Sequence, residues 1–217
     1  MRIKVVAFDV DGTLYPNSAV YMRALFFALC NMPSIYTFSC VRKDIRKIRP
    51  LSDFHRTQTD LFAARRKIPA ELAGKTIEKI FYDRWTHITR KAKLFPHAQE
   101  TLVRLKNSGL RMAALSDFPL SGKLENWGLD KFFEYRKSCE DIGYLKPNPE
   151  PFQDLVNFFG FEPREILYVG NNYDYDIVGA KNQGLLAAHL VRRPPPRSVA
   201  DFSFSDFRRL GDWALAM

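Results

Sequence analysis

The amino-acid sequence predicts an α/β protein: a Rossmann-like parallel sheet with an inserted α-helical segment. Three observations carry that reading. Short apolar runs ending in polar or glycine-containing turns alternate with helical patterns, which implies parallel strands joined by crossover helices. The first of these runs, Val5, Val6, Ala7 and Phe8, delivers two aspartates at its carboxyl end. Between Pro16 and Pro96 no strand signal of comparable quality occurs.

Taken in order, residues 3–8 read as the first strand, and 110–115, 166–169 and 186–191 as three more. A helix over 98–106 places Leu102 and Leu105 on one face and stops at Gly109. Phe152, Leu155, Val156 and Phe159 form a second apolar stripe, ended by Gly160. In the helical segment Ile77, Phe81, Trp85 and Ile88 recur at helical spacing, and residues 21–29 are apolar nearly all round. The chain thus divides into a core segment 1–15, a helical insert 16–95 and a second core segment 96–217, with the two prolines near the hinges. RRPPPR at 192–197 reads as a stiff loop, and no internal repeat or low-complexity tract is evident.

Composition sets the bounds. A chain of 217 residues, 46% hydrophobic and 14% aromatic, can bury a sizeable core. The acidic Asp9 and Asp11 break the N-terminal apolar run, which excludes a signal peptide. The next greasy stretch, 19–30, is interrupted by Arg23 and falls short of the roughly 18 residues of a membrane span. A cytoplasmic protein is expected. Cys30, Cys40 and Cys139 have no C-x-x-C spacing and read as buried free thiols. The net charge of +9 is concentrated: residues 42–93 hold fifteen Lys or Arg against six Asp or Glu. Such a block is a solvated helical face or an attractor of anions, so the expected partner is a small anionic metabolite, selected by charges such as Arg65, Arg66 and Lys67.

The strongest chemistry lies in FDVDGTLY, residues 8–15. Asp9 and Asp11 emerge where open α/β sheets place their ligands. Their mutual repulsion is relieved by a divalent cation, or by a proton on one of them, so that a nucleophile and an acid can coexist. Gly12 permits a sharp turn, and Thr13 offers a hydroxyl to it. A calcium-binding loop would need further ligands downstream, which residues 13–20 do not supply. A second polar cluster, VGNNYDYDIVGA at 169–180, puts Asn171, Asn172, Asp174 and Asp176 after an apolar run. Turn chemistry and half of a metal site both account for it.

With AALSD ending at Asp117 and GYLKPNPEPF around Lys146, these segments resemble in order the four motifs of the haloacid dehalogenase-like superfamily, over nearly the whole chain. The resemblance implies a phosphatase acting through an aspartyl-phosphate. Asp9 would be the nucleophile, and Asp11 the acid that protonates the leaving oxygen and later activates water. Ser116 would donate to a phosphoryl oxygen beside Asp117, and Lys146 would neutralise the charge gathering there. Mg²⁺ would be held by Asp9, the carbonyl of residue 11 and Asn171, with Asp176, or else Asp174, acting through water or by orienting Asn171. The family usually has Asp where Asn171 stands, so a weak metal site is expected. Dehalogenases of the superfamily lack the second acid of the first motif, which favours phosphoryl chemistry here. Phosphomutases and phosphonate-cleaving enzymes share the core motifs. Two further alternatives are a catalytically impaired binding protein, suggested by Asn171, and a nucleic-acid binder, suggested by the basic segment with its interspersed Phe54, His55, Phe62 and Phe81.

Overall fold

The computed structural model describes residues 2–89, 91–120 and 122–217, with the backbone alone for Ala19, Tyr21, Arg23, Trp85 and Thr86. Six parallel strands form one sheet: β1 Val5–Phe8, β2 Arg111–Ser116, β3 Tyr135–Ser138, β4 Ile166–Gly170, β5 Leu186–Leu190 and β6 Phe202–Phe204, in the order β3-β2-β1-β4-β5-β6. The chain leaves β1 towards β2 and β3, then returns to place β4 on its other side. The order therefore reverses between β1 and β4, and a crevice opens there at the carboxyl ends of the strands.

Burial on both faces explains why β1, β2 and β4 are continuous apolar runs instead of alternating ones. Val6, Phe8, Met112, Ala114, Leu167 and Val169 point into one hydrophobic layer. Val5, Ala7, Ala113, Leu115, Ile166 and Tyr168 point into the other. The strands β1, β2, β4 and β5 fall within two residues of the expected ends. The sequence reading contained neither β3 nor β6.

Between β1 and β2 the described residues form helices: α1 Asn17–Cys30, α2 Met32–Ile45, α3 Phe54–Arg66, α4 Ala70–Ile77 and, after a π-helical stretch Glu78–Arg84, α5 Trp85–Thr89. They enclose a small core of their own around Phe38, Val41, Phe62, Ala73, Ile77 and Phe81. The expected stripe of Ile77, Phe81, Trp85 and Ile88 divides there. Ile77 and Phe81 face this small core, whereas Ile88 packs against the layer under the sheet. The side chain of Trp85 lies outside the described residues. The wider π turn shifts the register of side chains between them, which an unbroken 3.6-residue period does not anticipate.

α1 is also less buried than its composition suggests. Val20 and Ala24 are buried, but Met22, Leu25, Phe26 and Leu29 face outwards. Cys30, at its end, is exposed, Cys40 is half-buried and only Cys139 is buried, which corrects the expectation of three buried thiols. No single helix among the described residues is long and apolar enough to cross a membrane.

The helical segment is fastened where it leaves and rejoins the sheet. The Phe95 N–H donates to the Leu14 carbonyl at 2.9 Å. Trp127 Nε1 donates to the Ala92 carbonyl at 2.9 Å, and its ring lies 5.3 Å from that of Tyr15. The remaining helices are α6 Ala98–Asn107, α7 Lys123–Asn126, α8 Cys139–Ile142, α9 Pro149–Phe159, α10 Gly179–Asn182 and α11 Phe207–Ala216. α6 and α11 pack on one face of the sheet, α8, α9 and α10 on the other.

Candidate active site

The crevice between β1 and β4 holds a cavity of about 170 Å³. Asp9, Asp11, Asp117, Lys146, Asn171 and Asp176 line it, together with Asn17, Phe118 and Tyr175. Of the residues expected from sequence, Asn172 also lines it, whereas Ser116, Thr13 and Asp174 do not. Asp9 is placed by its own backbone, whose N–H donates to the Val169 carbonyl at 2.9 Å and so ties the residue after β1 to the end of β4.

Two buried acids share one buried cation. Lys146 Nζ donates to Asp9 Oδ1 at 2.9 Å, to Asp176 Oδ1 at 2.6 Å and to the Tyr168 hydroxyl at 2.9 Å, which uses all three of its N–H directions. Burial pushes the Asp9 carboxyl up, and the nearby Asp176 and Asp11 add to this, so that it reaches about 7 despite Lys146. Burial opposes the charge on Lys146, but Asp176 and Asp9 outweigh it and raise the ammonium well above its ordinary value. The cluster is one positive charge short.

Asp11 has a cation of its own. Lys123, at the start of α7 and almost fully buried, places Nζ 2.7 and 3.0 Å from its two carboxylate oxygens. Ser116 Oγ donates to Asp11 Oδ2 at 2.8 Å, and the Tyr15 hydroxyl donates to Oδ1. Burial opposes the charge, yet Lys123 and these hydroxyls hold the Asp11 carboxyl below its ordinary value. The Ser116 hydroxyl is therefore directed at Asp11 in this structure, and in turn accepts from the Phe118 N–H at 3.1 Å.

Two glycines make the approach possible. Gly12 has φ +93°, which L side chains rarely adopt, and a Cβ there would meet Asn17 Nδ2 at 2.6 Å and Asn171 Nδ2 at 2.9 Å. A Cβ on Gly170 would lie 2.3 Å from that of Asp176. The Asn172 side chain caps the following turn by accepting from the Tyr175 N–H at 2.9 Å, while its own N–H donates to Asp176 Oδ2 at 2.9 Å. Asp176 thus has both oxygens engaged, one by Lys146 and one by the backbone. His189 Nε2 lies 3.2 Å from the Asn171 carbonyl, and burial holds the imidazole below its ordinary value.

Among the described residues there is no cluster of three His, Cys, Asp or Glu side chains suited to a metal. The oxygen donors that converge are mixed. Asp9 Oδ2 lies 2.8 Å and Asn171 Oδ1 3.1 Å from the same Thr13 hydroxyl. One carboxylate and one amide oxygen, beside a cluster lacking a positive charge, suit a small hard cation.

Arg42 of α2 and Arg46, the residue after that helix, close the other side. Arg46 Nε donates to the Lys146 carbonyl at 2.7 Å, its guanidinium pairs with Asp117, and it lies 4.1 Å over the Tyr175 ring. Arg42 pairs with the buried Glu140 and donates to the Asp117 carbonyl at 2.7 Å. Burial opposes the charge on Asp117, but Arg46, Lys146 and Arg42 hold its carboxyl below the ordinary range. Arg65, Arg66 and Lys67, expected to select an anionic partner, stand elsewhere. Arg65 pairs instead with Asp44, and none of the three lines this cavity. Arg42 and Arg46 left one legible signal, their spacing of four inside the basic block. Lys123 left none, since 112 residues separate it from Asp11.

A family model of haloacid dehalogenase-like hydrolases matches residues 3–184. The chain belongs to this family. This haloacid dehalogenase-like hydrolase is 30% identical to a glyceraldehyde 3-phosphate phosphatase of Methanopyrus kandleri, over 97% of this chain and 96% of that one. It is 27% identical to a phosphoglycolate phosphatase of Haemophilus influenzae, over 96% and 97% of the two chains. Among solved structures, an L-2-haloacid dehalogenase from Xanthobacter autotrophicus superposes with a TM-score of 0.71 at 20% identity, covering 99% of both chains. A likeness at that identity speaks for the fold alone.

Proposed function

We propose that this hydrolase is a Mg²⁺-dependent phosphatase that cleaves a small phosphate monoester through an aspartyl-phosphate. The observation that carries the reading is Asp9, a buried carboxylate at the crevice with Lys146 Nζ at 2.9 Å and a second acid, Asp11, two residues on. The presence of Asp11 separates the chain from the dehalogenases, which need no proton donor, and the names of the curated relatives point the same way.

Asp9 attacks phosphorus, forming the Asp9 O–P bond as the ester P–O bond breaks. Asp11, held ionised by Lys123 at rest, takes a proton from the monoanionic phosphate ester, gives it to the departing oxygen and later takes one from the water that cleaves the aspartyl-phosphate. Lys146 offsets the charge that gathers as an anionic carboxylate meets an anionic phosphate. Asp117 borders the phosphoryl position, and Ser116, outside the cavity, orients Asp11 through its hydroxyl. When bound, Mg²⁺ would supply the missing positive charge, held by Asp9, the carbonyl of residue 11 and Asn171, with Asp176 supporting the loop through its bond to the Asn172 N–H. Residues 16–95 serve as the cap, docked on the core by Arg42 and Arg46.

Hydrolysis of p-nitrophenyl phosphate with Mg²⁺ tests the reading. Asp9→Asn keeps the fold, as seen by circular dichroism, and abolishes turnover. Undiminished turnover by that variant rejects the covalent mechanism.

A further inference from the structure

Beside the 170 Å³ cavity lies a larger one of about 460 Å³, and the two share Phe118 and Tyr175 as walls. The smaller is below the roughly 300–1,000 Å³ of small-molecule pockets and suits a phosphoryl group with a short stub, whereas the larger is within that range. The leaving group of any substrate seated at Asp9 has this space beside it.

The walls of the larger cavity are apolar and largely aromatic: Ile35, Phe38, Phe81 and Phe118, with Tyr175. The rings are ordered as a stack. Phe38 and Phe81 lie 3.8 Å apart with planes 10° off parallel, and Phe118 follows at 6.2 Å and 26°. Arg42 sits 4.4 Å over Phe118, and Arg46 sits 4.1 Å over Tyr175.

Three cations line this cavity, but two are committed. Arg42 is held by Glu140 and the Asp117 carbonyl, and Arg46 by Asp117, the Lys146 carbonyl and the Arg42 carbonyl. Among the described residues only Lys43, at the exposed edge, lines it without such a partner. A short, highly charged acid would find few free donors here and would leave the half-buried Ile35, Phe118 and Tyr175 uncovered. A flat apolar body would cover it.

We propose that the substrates of this enzyme are phosphate esters of aromatic or similarly flat apolar alcohols, with the organic body against Phe118, Tyr175 and Ile35, in place of phosphorylated two- or three-carbon acids. The proposal rests on the phosphatase reading and names its substrate class.

Benzyl phosphate and glycerol 1-phosphate, both esters of primary alcohols, test it with Mg²⁺ present. The kcat/KM for benzyl phosphate is expected to exceed that for glycerol 1-phosphate at least tenfold. Ser39→Trp, which fills the cavity from the exposed side of α2, and Ile35→Glu, which charges its wall, should each lower that ratio at least fivefold. A ratio near one, or a ratio that neither variant moves, overturns the proposal while leaving the phosphatase reading intact. If neither ester is hydrolysed, the phosphatase reading is what fails. Calorimetry with Asp9→Asn then decides the cavity: tenfold tighter binding of benzyl phosphate supports the aromatic site, and equal binding of the two esters overturns it.

Discussion

Lys123 Nζ bridges both carboxylate oxygens of Asp11, at 2.7 and 3.0 Å, from a position almost fully buried. Removing one partner of such a pair strands the other charge, at a cost of about 3–5 kcal/mol. Lys123→Met is expected to lose about that much at pH 7. Because the folded state holds Asp11 below its ordinary value, the stabilisation is present above the ordinary carboxylate range and is lost as pH falls through the folded value. Urea denaturation at pH 7 and pH 2.5 should show the gap between wild type and variant narrowing in acid. An equal gap at both contradicts the assignment.

Asp9 behaves oppositely. Its folded value of about 7 lies above the ordinary 3.8, so between these the folded state binds the extra proton. The metal-free protein should therefore lose stability as pH rises across that window, and Asp9→Asn should flatten the slope. A cation that replaces the proton should stabilise more at pH 8 than at pH 5.5. Thermal melts with and without Mg²⁺ at the two pH values measure both effects, and a Mg²⁺ shift that is larger in acid refutes them.

An amide at position 171 supplies an oxygen without a charge. Asn171→Asp should lower the Mg²⁺ concentration for half-maximal activity. Asp176→Asn should impair the wild type, because Asp176 holds both Lys146 and the Asn172 N–H. Titrating activity against Mg²⁺ decides between the metal role and a simple turn: an unchanged or raised midpoint in Asn171→Asp favours the turn.

Gly170→Ala should place its Cβ within 2.5 Å of three atoms of Asp176. Relief requires Asp176 to move, which disturbs one of the three bonds of Lys146. Overpacking of this kind costs about 1–3 kcal/mol, or roughly 2–4 °C in Tm for each kcal/mol at this chain length. Activity at a temperature where the variant remains folded should fall about tenfold. Wild-type activity in that variant would show that Asp176 is not needed where it stands.

The central strands were legible because both of their faces are buried, which writes a continuous apolar run into the sequence. The edge strands were not. β3 reads YRKS, with Arg136 exposed and Lys137 half-buried, and β6 is three residues, FSF. Edges lack cover on one side and carry charges that hide the pattern. The site divides in the same way. Asp9, Asp11, Lys146, Asn171 and Asp176 sit in local motifs whose turns and glycines are themselves visible. Lys123, Arg42 and Arg46 act across 71 to 112 residues, and only the folded chain brings them in.

Tyr15 links the two halves of this arrangement. Its hydroxyl orients Asp11, its ring rests against Trp127, and Trp127 holds Ala92 near the point where the helices rejoin the sheet. The adjoining Leu14 carbonyl is bound to Phe95 on that same returning segment. A swing of the helices over the crevice would therefore turn on a pin that also aligns the proton-handling carboxylate. Door and latch share an axle, so the angle of one is set against the orientation of the other.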